Sequence, residues 1–205
     1  MPGDPDDGVT DQKVNKSAYW NAIYEAELSP RWSIGVAPSL KHWLETSGAK
    51  PGRVLLPGCG YGHDAALFAE HGYQVVAVDF APLAIERARQ MHAAARVDWR
   101  CADIFDLTQT DAAAFDYLYE YTCMVAIQPA RRAEYAHLCH DLLKPGGRLI
   151  GSFYNHGREG GPPFDITREQ VDALYRPLFK IHQLEVTPHS IERRQGHELW
   201  ADFQK

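Results

Sequence analysis

Hydrophobic positions fall into short runs whose spacing alternates along the chain. Apolar runs at Arg53–Pro57, Gln74–Asp79, Val97–Cys101, Phe115–Glu120 and Gly147–Tyr154 predict β-strands. Segments with helical spacing lie between them, at His63–His71, Pro82–Ala95 and Ala130–Leu143. The first strands are apolar throughout rather than on alternate residues, which is the mark of a sheet covered on both faces. Strand and helix in alternation predict an α/β protein with a mostly parallel sheet. Lys144-Pro145-Gly146-Gly147 reads as a helix stop and turn. Thr167–Tyr175 reads as a further helix, with Thr167 as its cap and Gln170 at the capping-box position. Phe179–Val186 and Glu198–Phe203 read as two last strands, with Gly196 in the turn of a closing hairpin.

The N-terminal pattern is different. Residues 1–16 are acidic, rich in Pro and Gly and without apolar period, so they read as a disordered tail. Ser17 reads as an N-cap, and good helix formers continue to Glu27 until Pro30 stops them. Trp20 and Tyr24 share one face of that helix. Pro38 opens a second helix through Leu44. Residues 17–50 thus form an N-terminal region on a single domain spanning 17–205. Trp20, Trp32 and Trp43 lie in it, three of the five tryptophans. Two readings stand: these aromatics pack the region onto the domain, or Trp20, Tyr24 and Trp32 make a lid over a ligand.

A chain of 205 residues is long enough for one well-buried core. The formal charge of -6 and the lack of a basic run argue against a nucleic-acid partner. No apolar stretch reaches the roughly 18 to 20 residues of a membrane span. The acidic start is unlike a signal peptide, so a cytoplasmic location is expected. Cys59, Cys101, Cys123 and Cys139 form no C-x-x-C pair and suit free thiols. His137 and His140 fall on one helix face beside Cys139, but no further ligand is evident, and no metal is expected.

The candidate chemistry gathers at strand ends. Arg53 to Asp64 reads as a strand, a glycine-rich turn and a helix start. Gly58, Gly60 and Gly62 give G-x-G-x-G. The dinucleotide pattern G-x-G-x-x-G would need glycine where His63 stands, which counts against an NAD-type oxidoreductase. S-Adenosylmethionine (SAM) carries no phosphate and does not need that geometry. Asp79 ends the next strand, twenty-one residues after Gly58, where a carboxylate can accept from both ribose hydroxyls. Asp103 and Ile104 follow the third strand and suit an adenine amino group and ring face. Tyr121 follows the fourth strand and Tyr154 ends the fifth, both bordering the crevice where open α/β sheets bind ligands. The glycine-rich loop 155–164 reads as an acceptor-side flap.

Four pieces of sequence carry a family resemblance. They are Trp20-x3-Tyr24 with Leu28-Ser29-Pro30-Arg31-Trp32-x2-Gly35; the glycine loop with Val78-Asp79; Tyr119-Glu120-Tyr121 with Val125-Ala126-Ile127-Gln128-Pro129; and Gly160-Gly161-Pro162-Pro163-Phe164. Together they resemble the thiopurine S-methyltransferase superfamily, and within it the halide and thiol methyltransferases of plants and bacteria. The resemblance implies a Rossmann-like Class I methyltransferase with a seven-stranded sheet, its last strand antiparallel, and helices on both faces. It implies SAM contacts at Trp20, Tyr24, Trp32, Gly58, Gly60, Asp79, Asp103, Ile104 and Tyr121, and an acceptor pocket at Trp32, Tyr154 and Phe164. Tyr121 stands where the thiopurine enzymes proper tend to carry Arg, which points to the halide/thiol branch. Phe164 stands where plant relatives tend to carry Tyr and brings no hydroxyl.

The expected reaction is therefore methyl transfer from SAM to a small nucleophile: a thiol, hydrosulfide or halide, with thiopurine, selenium or tellurium acceptors as alternatives. A halide or hydrosulfide needs no general base, and a thiol is already a few per cent thiolate at neutral pH. No catalytic base is expected; Tyr121 and His156 are the residues to test.

Overall fold

The computed structural model describes residues 10–26 and 35–205. Trp32 and the Leu28–Trp32 segment fall outside them, as does the expected tail before Thr10.

Seven strands form one sheet in the order β3-β2-β1-β4-β5-β7-β6. They are β1 (Arg53–Pro57), β2 (Gln74–Asp79), β3 (Val97–Cys101), β4 (Phe115–Tyr121), β5 (Leu143–Tyr154), β6 (Lys180–Val186) and β7 (Glu198–Gln204). The first five run parallel, and β7 is antiparallel to both β5 and β6. The order reverses between β1 and β4, which opens a crevice at the carboxyl ends of those strands. This is the expected sheet with its closing hairpin.

The continuous apolar runs do bury both faces. On one face Val54, Leu56, Val75 and Ala77 meet Leu40 and Trp43 of α3 (Pro38–Thr46) and Ala65 and Phe68 of α4 (His63–Glu70). On the other, Leu55, Val76, Leu118 and Leu149 meet Tyr135, Leu138 and Leu142 of α7 (Arg132–Leu142) and Val171 and Tyr175 of α8 (Arg168–Tyr175). Thr167 caps α8 with both hydrogen bonds of the capping box in place. Helix α5 (Pro82–Met91) lies along β2 and β3.

Three boundaries differ from expectation. Residues 10–16 are not a free tail: α1 (Thr10–Lys13) is a helical turn, Val14 is buried, and the Val14 carbonyl accepts from the Trp20 indole at 2.8 Å. The acidic composition hid one apolar anchor, Val14, which suffices because α2 (Ser17–Ala26) supplies its partner. Next, Lys144–Gly147 is drawn into β5 instead of forming only a turn. Leu143 pairs with Phe115, and the register then shifts before Arg148 meets Tyr117. Finally, α6 (Thr108–Asp111) and a 3₁₀ turn at Ile104–Asp106 had no sequence signal, being too short for a period to show.

Candidate active site

The crevice at the sheet's switch point widens into a cavity of about 440 Å³. Its floor is the glycine turn after β1, its sides are the ends of β2, β3 and β4, and its roof is α2 with Val14 and Asn15 before it.

Each glycine of the turn takes a positive φ. Gly62 shows why. It sits at the N-terminus of α4 with φ +74°, and a Cβ there would lie 2.3 Å from the Trp99 ring of β3. Gly62 therefore provides the close packing that the third glycine of a dinucleotide loop provides. The pattern is compressed by one residue rather than incomplete.

Asp79 is buried at the end of β2. Its Oδ2 accepts from Gly60 N at 3.0 Å and its Oδ1 from Ala81 N at 2.9 Å. Burial raises its pKa, and these backbone donors work against that rise. The carboxylate is held in one orientation, and each oxygen keeps a lone pair for a ligand. Asp103 caps the 3₁₀ turn after β3: its Oδ1 accepts from Phe105 N at 3.0 Å. Ile104 and Phe105 line the cavity beside it.

The roof is aromatic. Trp20 and Tyr24 line the cavity, with Tyr24 buried and its hydroxyl over Gly60. Arg87 of α5 pins this helix, donating to Tyr24 O and to the Tyr61 hydroxyl at 2.6 Å each. At its near end Asn15 Nδ2 donates to Gln128 Oε1 at 2.8 Å, tying the roof to the opposite rim.

The far end of the cavity is lined by Tyr121, Thr122, Arg194, Pro162 and Pro163. Tyr121 ends β4, and Thr122 takes a positive φ of 67° that is strained for a non-glycine residue. Glu120 holds this turn from the core side. It is fully buried and accepts from Met124 N at 3.0 Å and from the Tyr135 hydroxyl at 2.5 Å. Burial raises its pKa to about 7. Tyr121 donates to Glu198 Oε1 at 2.8 Å, and Arg194 Nη1 donates to the same oxygen at 3.0 Å. Asp64, also in the wall, accepts from Ala37 N at 2.8 Å, and burial raises its pKa to about 7.

Two expected acceptor-side residues and His156, one of the two residues to test as a base, lie one layer back. Tyr154 does not line the cavity; its ring lies 4.6 Å below the Arg194 guanidinium. Phe164 is buried, packs against Gly161 and donates its N–H to Val125 O at 2.7 Å, so Pro162 and Pro163 face the cavity in its place. His156 is also outside the cavity. It accepts from Arg158 N and hydrogen-bonds Pro163 O at 3.1 Å, which braces the flap, and burial lowers its pKa. Trp20, Tyr24, Gly58, Gly60, Asp79, Asp103, Ile104 and Tyr121 all line the one cavity. Sequence reasoning missed Asp64, Arg194 and Glu198. Glu198 alone carried a signal, an acidic residue opening the apolar run Leu199-Trp200-Ala201.

The profile of the Thiopurine S-methyltransferase (TPMT) family matches residues 15–201. The chain belongs to that family. It is a SAM-dependent methyltransferase. Thiocyanate methyltransferase 1 of Arabidopsis thaliana is 32% identical, over 94% of this chain and 87% of that protein. Probable thiol methyltransferase 2 of the same plant is 33% identical, over 93% of this chain and 86% of that protein. Among solved structures, a Burkholderia thailandensis 1,6-didemethyltoxoflavin-N1-methyltransferase with bound S-adenosylhomocysteine superposes with a TM-score of 0.74 at 22% identity, covering 100% of this chain and 93% of that one. Family membership sets the NAD-type reading aside.

Proposed function

We propose that this chain methylates the sulfur of a small thiol or hydrosulfide, with halides as competing acceptors. The observation that carries this reading is a single cavity with two chemically distinct ends: one with the carboxylates Asp79 and Asp103, and one walled by Tyr121, Arg194, Pro162 and Pro163. Relatives named for thiocyanate and thiol methylation support it.

The residues fit the cofactor. Asp79, fixed by two backbone donors, accepts from the ribose hydroxyls. Asp103 accepts from the adenine amino group with the oxygen that Phe105 N leaves open, while Ile104 and Phe105 flank the ring. Gly58 and Gly60 let the backbone approach the methionine portion. Trp20 and Tyr24 close the roof as a lid, and their ring faces attract the sulfonium by roughly 0.5–2 kcal/mol. Bound SAM supplies a methyl group on a sulfonium, whose leaving group departs as a neutral thioether. The chain aligns the acceptor in line with that bond and keeps water out. Alignment is worth at most about 7–11 kcal/mol. A partly dry aromatic pocket also favours a step in which opposite charges neutralise.

The test is an acceptor screen with SAM: small thiols, hydrosulfide, iodide, thiocyanate, a thiopurine and selenite, with headspace and liquid analysis of products. Turnover of a thiol or hydrosulfide is expected. SAM binding with no turnover of any acceptor makes the chain a SAM-binding module instead.

A further inference from the structure

We propose that Glu198 takes the acceptor's proton through the Tyr121 hydroxyl, so that this site is built for acceptors that arrive protonated, namely thiols, rather than for preformed anions such as iodide. This rests on the S-methyltransferase reading above.

The arrangement is a relay with its ends in different environments. Tyr121 and Arg194 line the cavity, and Glu198 lies behind them with only 1% of its surface exposed. Tyr121 donates to Glu198 Oε1 at 2.8 Å, Arg194 Nη1 donates to that oxygen at 3.0 Å, and Arg194 Nη1 also lies 3.3 Å from the Tyr121 hydroxyl. Glu198 Oε2 is buried and has no hydrogen-bond partner among the described residues. Oε1 therefore carries both contacts, while Oε2 keeps its acceptor capacity unused. The ionisable groups facing this carboxylate are Arg194 beside it, Tyr121 and Tyr119 of β4, and Asp64 of α4.

Charge separates the two acceptor classes. Among the described residues the guanidinium of Arg194 is the cation at this end of the cavity, and Glu198 neutralises it at salt-bridge distance. A halide ion arriving here meets a neutral pair. A thiol does not need a free cation on arrival. Its S–H proton passes to the Tyr121 oxygen as the Tyr121 hydroxyl proton passes to Glu198 Oε1, so Tyr121 stays neutral. Burial and the Glu198 charge both disfavour its ionised form. Glu198 is now uncharged, and Arg194 is left to pair with the new thiolate. The thiolate lone pair forms the bond to the methyl carbon as the methyl–sulfonium bond breaks, its electron pair remaining on the departing thioether sulfur. Glu198 returns the proton through Tyr121 to solvent once the products leave.

The test compares a small thiol with iodide as acceptors, in wild type and in Glu198→Gln. Glutamine keeps the shape and cannot take the proton. The thiol-to-iodide ratio of kcat/KM is expected to fall by about 100-fold or more near pH 7, a positioned base usually being worth about 10²–10⁴-fold. The thiol rate of the variant is expected to track the free thiolate, rising about tenfold per pH unit below the thiol pKa. Adding thiol to the S-adenosylhomocysteine complex should produce the ultraviolet thiolate band in wild type and not in the variant. If Glu198→Gln folds poorly, Tyr121→Phe breaks the same relay and should give the same loss of ratio. Equal losses for thiol and iodide, with an unchanged pH profile, overturn the relay and leave the methyltransferase reading standing. Absence of turnover for both acceptors in wild type overturns the two together.

Discussion

The two ends of the cavity are built by different means. The cofactor end comes from local segments: a strand, its following turn and one carboxylate, repeated after β1, β2 and β3. Asp79 is oriented by Gly60 and Ala81, backbone groups that its own fold unit supplies. The acceptor end is assembled from distant parts. Tyr121 comes from β4, Pro162 and Pro163 from the flap, Arg194 from the connection before β7, and Glu198 from β7 itself. Antiparallel insertion of β7 between β5 and β6 brings the last two under the crevice. The first end thus repeats one strand–turn–carboxylate unit, whereas the second is set by a handful of side chains that can change without disturbing the sheet.

The largest expected effect breaks the cofactor end alone. On the proposed reading Asp79→Ala removes the acceptor of two ribose hydroxyls, each hydrogen bond to a charged group being worth about 1.5–3 kcal/mol. SAM affinity by calorimetry should fall at least about a hundredfold. A fall of less than about fivefold would remove Asp79 from the site.

Gly62→Ala tests the frame under that end. A side chain at φ +74° that also strikes Trp99 should cost about 3 kcal/mol or more. The melting temperature should drop by about 6–12 °C for a domain of this size. An unchanged melting temperature would show that the glycine turn does not set the distance between α4 and β3.

The acceptor end should show itself through pH. Glu120 has its pKa raised from 4.5 to about 7, so the folded state holds a proton that the unfolded state loses. Its contribution is fully present below about pH 4.5 and is lost as pH rises through about 7. Asp64 acts in the same direction, from 3.8 to about 7. Stability should therefore decline between about pH 5 and 7, and Glu120→Gln should flatten that decline by on the order of 2 kcal/mol. Denaturant midpoints across this range check it, and an equal slope in the variant would assign the decline elsewhere.

The smallest effect concerns the roof that both ends share. Asn15→Ala removes the exposed bond to Gln128, worth about 1 kcal/mol at most. We expect faster SAM release by less than about fivefold with no change in melting temperature, measured by stopped-flow. An unchanged release rate would mean that the roof opens elsewhere.

The same contrast explains what could be read from the sequence. The strands, the glycine turn and the strand-end positions of Asp79 and Asp103 were legible because each rests on a local pattern: an apolar run, then a turn, then one polar residue. Gly62 was visible, but its role was not, since nothing in the sequence says that Trp99 lies across from it. Tyr121 was found as a strand end. Arg194 and Glu198 were not found, because their meaning depends on a strand pairing made across the sheet from β4. Phe164 and Pro162–Pro163 belong to one recognised segment, yet which of them faces the cavity is decided by the turn of the flap. Val14 escaped because a single buried residue makes no period.

The central claim is sulfur methylation at the acceptor end of this cavity. It is tested most directly by incubating the protein with SAM labelled in its methyl group and a small thiol or hydrosulfide, then following the label. The expected result is labelled methyl on the acceptor sulfur, with S-adenosylhomocysteine formed in equal amount. S-Adenosylhomocysteine formed with the label on another atom, or no transfer to any sulfur acceptor, would contradict it.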